Sequence, residues 1–251
     1  MELLKKNISH FKNNTSLFLI IALLSSCSSM ESLKFWPDAE IDTDEPKKLE
    51  KFSSSYTIKN NWKISFKGGD NTLGNFIPSF NANNIFFANS SGVISSFNAA
   101  SGQSNWKVQS NLLSSGVASG FDILVVSDED GNVVARRQND GSTLWTSNVK
   151  SEVLAPAVID AKFVIIKTGS GELIALDRNS GELVWSYRSK LPNLTIRGSS
   201  SPVILDDQIF VSFDNGRLGV FQLDTGFPIW DGAISYASGI SELESLVDSD
   251  S

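Results

Sequence analysis

The sequence is nearly devoid of thiols and imidazoles: it has one cysteine, Cys27, and one histidine, His10, both near its start. Everything after Cys27 therefore lacks the groups for a Ser-His-Asp relay, a Cys-His pair, a histidine metal site or a disulfide framework. Enzymatic readings of that region must rest on carboxylates alone. Long apolar runs are also missing. The unbroken stretch from Leu17 to Leu24 is far short of the roughly 20 residues that a membrane-spanning helix needs. Basic residues are in deficit, 21 Lys and Arg against 28 Asp and Glu, for a net charge of −7. Such a surface repels phosphate backbones and disfavours nucleic-acid binding, which depends on clustered Lys and Arg.

What the first residues do contain is ordered. Lys5, Lys6 and Lys12 precede the apolar run, the charged-then-apolar order of a secretory signal. The run ends in Leu24-Ser25-Ser26-Cys27, which resembles a bacterial lipobox. That resemblance implies cleavage after residue 26 and acylation of Cys27, with two or more acyl chains making a stable anchor. The plainer alternative is an ordinary signal peptide beside a chance cysteine. Ser28, rather than an aspartate, follows Cys27; by resemblance to lipoprotein sorting signals this implies the outer membrane. Residues 27–55, with Pro37-Asp38 and Asp42-Thr43-Asp44-Glu45-Pro46, have few apolar side chains and no period. They read as a flexible tether with a reach of roughly 25–30 Å.

From residue 56 onward the chain repeats. Four first glycines, Gly92, Gly131, Gly171 and Gly216, are each followed after ten residues by a second, Gly102, Gly141, Gly181 and Gly226. Four residues further on stand Trp106, Trp145, Trp185 and Trp230. One unit shows the physics. Phe163–Ile166 and Glu172–Leu176 are rich in strand formers and flank Gly169-Ser170-Gly171, a turn that tolerates positive φ, so they predict a hairpin. Asp177–Gly181 predicts a second tight turn before a strand over 182–187, and Ala155–Val158 a short inner strand. Four antiparallel strands recurring at intervals of 39, 40 and 45 residues predict an all-β propeller of four-stranded blades over 56–251. The recurrent indole is expected to pack in the seam between successive blades; the alternative is a ring of ligand-stacking aromatics.

Two other motifs are turns. Asp128-Glu129-Asp130-Gly131-Asn132 has calcium-loop composition, but it falls at the hairpin turn of its unit, and position twelve is Asn139 where a loop of that kind carries glutamate. Gly169-Ser170-Gly171 precedes a strand and not a helix, so it is no dinucleotide fingerprint.

The string from Ala175 to Trp185, Ala-Leu-Asp-Arg-Asn-Ser-Gly-Glu-Leu-Val-Trp, closely resembles the tryptophan-docking repeat of quinoprotein-like propellers. Two families use it: alcohol dehydrogenases with a quinone cofactor, and the BamB family of outer-membrane β-barrel assembly lipoproteins. The dehydrogenases resemble one another in a vicinal cysteine pair and a calcium-bound carboxylate site, which a chain with Cys27 alone does not match. Two segments resemble BamB loops, Leu191–Pro202 with its Arg197-Gly198, and Ser241–Asp250 with its Asp-x-Asp ending. By that resemblance the loops lie side by side and dock on the POTRA domains of the barrel-inserting subunit, BamA, which nominates Leu194, Ile196, Arg197, Asp248 and Asp250. It implies a scaffold with no catalysis and no cofactor, in contact with other assembly subunits and nascent outer-membrane proteins. Ile196 departs from the family's usual leucine, a mild apolar swap.

The residues allow the same reading. Leu194 and Ile196 alternate with polar neighbours between Pro192 and Gly198, and Arg197 suits a two-pronged contact with a partner or with Asp248 or Asp250. A core-facing strand with an internal salt bridge remains the alternative. BamB-like propellers have eight blades and this sequence offers four tryptophan units, so the resemblance implies a partial ring with an unpaired sheet edge. In the complete fold Asn61–Phe66 is expected as the outer strand that closes the last blade. The second functional reading is a propeller enzyme or ligand sensor whose active groups lie elsewhere.

Overall fold

The computed structural model describes Tyr56 and residues 59–65, 74–189, 198 and 200–234. The chain divides into two compact units, Met1–Ile58 and Lys59–Ser251. Of the first only Tyr56 is described; the other described residues belong to the second.

All regular structure among the described residues is β, in four blades of four antiparallel strands in sequence order. The first blade is β1 (Ser79–Asn81), β2 (Asn84–Ala88), β3 (Val93–Asn98) and β4 (Ser104–Gln109). The second is β5 (Ala118–Gly120), β6 (Ile123–Ser127), β7 (Asn132–Arg137) and β8 (Thr143–Asn148). The third is β9 (Val158–Ile159), β10 (Phe163–Lys167), β11 (Glu172–Asp177) and β12 (Leu183–Arg188). The fourth is β13 (Val203–Leu205), β14 (Gln208–Phe213), β15 (Arg217–Gln222) and β16 (Pro228–Ala233).

The strands β6 and β10 are buried along their whole length, because a middle strand has a neighbouring blade on each face and so needs apolar residues at every position. The burial forms three apolar clusters, one per seam. Phe86, Ile94, Leu124 and Val126 pack between the first and second blades. Val125, Val133, Val164 and Ile174 pack between the second and third, and Ile165, Leu173, Ile209 and Phe221 between the third and fourth.

One inner strand is displaced from its expected place. The sequence predicts it over Ala155–Val158, whereas Val158 and Ile159 are the residues that pair, with Ile165 and Val164. Pro156 has no N–H to give a ladder, so pairing begins beyond it.

Each blade carries an irregularity of register at one place on its third strand, at Ser96/Phe97, Ala135/Arg136, Ala175/Leu176 and Val220/Phe221. The residues paired just before the irregularity are Trp106, Trp145, Trp185 and Trp230. An extra residue in the outer strand twists it locally and re-aims the neighbouring side chain, which is how an edge strand turns a large ring toward the next blade.

Candidate protein-docking surface

The indoles determine how the blades stand against one another. Trp106 Nε1 donates to the carbonyl of Gln138 at 2.8 Å, Trp145 to Arg178 at 2.8 Å and Trp185 to Leu223 at 3.0 Å. In every case the acceptor lies in the outer turn of the following blade, three residues before its second glycine. Those glycines have positive φ, 71° at Gly141, 75° at Gly181 and 68° at Gly226. An added Cβ would meet the Trp106 ring at 2.8 Å from Gly141 and the Trp145 ring at 2.5 Å from Gly181, and would strike Trp185 from Gly226. The glycine supplies both the left-handed turn and the flat floor on which the ring lies. Gly181→Ala is therefore expected to destabilise the chain by about 2–4 kcal/mol, combining left-handed strain with overpacking. Chemical denaturation of the purified chain checks this.

The turn beneath each ring is held by its own side chains. Asn98 Oδ1 accepts the N–H groups of Ala100 and Ser101, and Asp177 Oδ1 those of Asn179 and Ser180. The Ser180 N–H is the main reason the exposed Asp177 carboxyl sits below its ordinary value. A depressed carboxylate contributes stability above its unfolded value and loses it as the pH falls through the folded one.

Trp62 belongs with these rings, although sequence reasoning did not count it among them. Its Nε1 donates to Ala99 O at 2.9 Å, and a Cβ on Gly102 would meet its ring at 2.7 Å. The clue was spacing: its acceptor lies 37 residues downstream, between the 32 of Trp106 and the 38 of Trp185. Within Asn61–Phe66, expected as an outer strand, residues 61–65 pair with no strand among the described residues. Trp230, at the other end, is 50% exposed, together with Phe227 and Ile229.

The docking residues nominated by sequence, Leu194, Ile196, Arg197, Asp248 and Asp250, lie outside the described residues, as does Cys27. Gly198, the next described residue in sequence, is held by a buried network. The Gly198 N–H donates to Asp214 Oδ2 at 3.2 Å, and Asp214 Oδ1 pairs with Lys167 Nζ at 3.3 Å. Lys167 Nζ also donates to Ser200 Oγ at 2.8 Å and to Ser212 O at 3.2 Å. Sequence gave no warning of this group.

The seams differ at the residue two places after each ring. Tyr187 fills the third seam, with its ring centroid 4.6 Å from that of Phe221. In the second seam that position is Ser147, whose hydroxyl bonds the Gly181 carbonyl. The smaller side chain leaves a cleft of about 640 Å³ lined by Ile174, Leu176, Leu183, Lys150 and Arg188.

The Asp128 turn is occupied internally. Asp128 Oδ1 accepts the N–H groups of Asp130 and Asn132, and Oδ2 the Asn132 side-chain amide. No group of three or more potential metal ligands occurs among the described residues. Among the described residues no helix long and apolar enough to cross a membrane occurs.

Residues 90–251 match the sequence profile of the family described as outer membrane protein assembly factor BamB. The chain belongs to the BamB family. Its relatives of that name include those of Nitrosomonas eutropha, 28% identical over 91% of this chain and 57% of the relative, and Yersinia pestis, 28% identical over 92% and 60%. The chain thus spans less than two thirds of the length of these BamB proteins. The crystal structure of BamB from Moraxella catarrhalis superposes with a TM-score of 0.65 at 29% identity, over 69% of this chain and 53% of that one. A quinohemoprotein alcohol dehydrogenase from Comamonas testosteroni superposes at 0.53 with 15% identity, over 64% and 35%. That likeness concerns the blade fold alone.

Proposed function

We propose that this chain is a non-catalytic scaffold of outer-membrane β-barrel assembly, binding the POTRA domains of BamA. It is held on the periplasmic face of the outer membrane by lipid at Cys27. In this reading residues 1–26 are the signal peptide, 27–55 the tether and 56–251 the blades, while Leu194, Ile196, Arg197, Asp248 and Asp250 touch the partner. The match to an assembly-factor family across 90–251 is the observation that carries it. The blade geometry agrees: sheets locked by indoles form a rigid support, and residues on loops held by such a support are suited to recognition.

Pull-down from membranes of cells expressing the chain tests the proposal. A POTRA-bearing partner should co-purify, and Arg197→Ala or Leu194→Asp should reduce its recovery about tenfold or more, the loss of roughly 1.4 kcal/mol or more expected when a central interface residue is truncated. Bound quinone or dye-reduction activity in the purified chain, without such a partner, would instead favour a propeller enzyme.

A further inference from the structure

The Lys167–Asp214 pair is unlike the surface pairs of the chain. Its side chains are 4% and 7% exposed, whereas those of Lys162–Asp224 are 66% and 62% exposed. Its place in the repeat is also unusual. Lys167 pairs with Leu173 as Ala88 pairs with Ile94, Ser127 with Val133 and Ser212 with Leu218. The other blades put a small residue where the third puts an ammonium group.

That ammonium reaches out of its own blade. Its three acceptors, Ser200 Oγ, Ser212 O and Asp214 Oδ1, belong to the fourth blade and the segment leading into it. Ser200 and Ser212 bond each other through their hydroxyls at 2.8 Å. Asp214 turns its second oxygen to the Gly198 N–H, and a Cβ at Gly198 would meet Asp214 Oδ1 at 2.5 Å. The backbone at Gly198 is thereby drawn against a carboxylate that is itself fixed by a lysine from the preceding blade.

A buried ion pair gives little net stability over an apolar pair of the same volume, and its best-attested use is to select one arrangement of the chain. We infer that Lys167 and Asp214 are positioning residues: they fix the backbone at Gly198, the residue that follows the proposed docking segment 191–197 in sequence. The inference rests on the proposed POTRA contact for its purpose, and on the Gly198 bond for its mechanism.

Two double variants of the full chain separate the hydrogen bond from the charges. K167M/D214L removes both charges and the acceptor; K167M/D214N removes the charges and keeps an oxygen for Gly198. Amide hydrogen exchange at Gly198 reads that backbone directly and needs no partner. Exchange should accelerate about tenfold or more in the leucine variant and stay near wild type in the asparagine variant, tenfold being roughly 1.4 kcal/mol of lost protection. Binding to purified POTRA domains should follow the same order, with both variants keeping the wild-type β circular dichroism. Unchanged Gly198 exchange in the leucine variant overturns the inference, as does accelerated exchange with undiminished POTRA binding. A wild-type chain that binds no POTRA domain defeats the proposed function, while the exchange result still decides whether the pair holds Gly198. Should the leucine variant not fold, the asparagine variant carries the test: accelerated Gly198 exchange in its folded state is the overturning result, and wild-type exchange the supporting one.

Discussion

Trp145→Ala should cost about 3–5 kcal/mol of folding stability, the usual price of truncating a buried tryptophan. Trp145 is 8% exposed, lies over Gly181 and donates to Arg178 O at 2.8 Å. It belongs to the cluster that joins the second and third blades through Val133, Val164 and Ile174. Alanine there would remove the ring and leave the Arg178 carbonyl without that donor. Trp230→Ala in the same chain should cost about 1 kcal/mol, because its ring is half exposed and surface truncations are mild. Urea unfolding of both variants, compared at equal slope, measures the difference. Equal losses at the two positions would mean that the indole acts within its own sheet and not across the seam.

Lys167→Met alone should be nearly as damaging, at about 3–5 kcal/mol, because it leaves a buried carboxylate without its cation. Among the described residues Asp214 would keep the Gly198 N–H on Oδ2, and Ser200 Oγ and Ser212 O would each lose a donor. The leucine double variant should recover most of that loss, since the unpaired charge goes with Asp214. A thermodynamic cycle over the two singles and the double should thus be strongly non-additive, as expected for groups in one network. Additive losses would show that the pair is not coupled.

The blades were legible because their determinants are local. A glycine at positive φ, such as Gly171 or Gly181, is required by a tight turn whatever surrounds it, and the apolar run Phe163–Ile166 shows burial on both faces. The inner strand was misplaced because its pairing at Val158 and Ile159 depends on where Pro156 stops the ladder, a matter of one or two residues. Trp62 was missed because its partner turn lies in the first blade and the strand expected around it belongs to the closure of a ring. Lys167 and Asp214 were illegible for another reason. A lysine at the end of an apolar run reads as the point where a strand meets solvent, and only the packing of the next blade reveals that the amine is enclosed. The proposed docking residues rest on resemblance and on the alternation of Leu194 and Ile196 with polar neighbours, a pattern that a core-facing strand shares.

The forward reach of the indoles has a kinetic corollary. The rings of Trp62, Trp106, Trp145 and Trp185 find their carbonyls 32–38 positions further along the chain, and their glycines later still, in residues that leave the ribosome after them. A blade emerging first must wait, with one large apolar plate uncovered, until the next has closed its outer turn. Maturation of the molecule is therefore vectorial, with the most recently completed blade always the adhesive one. Pausing synthesis between units would leave that apolar plate uncovered, at a position that moves along the chain as each seam shuts.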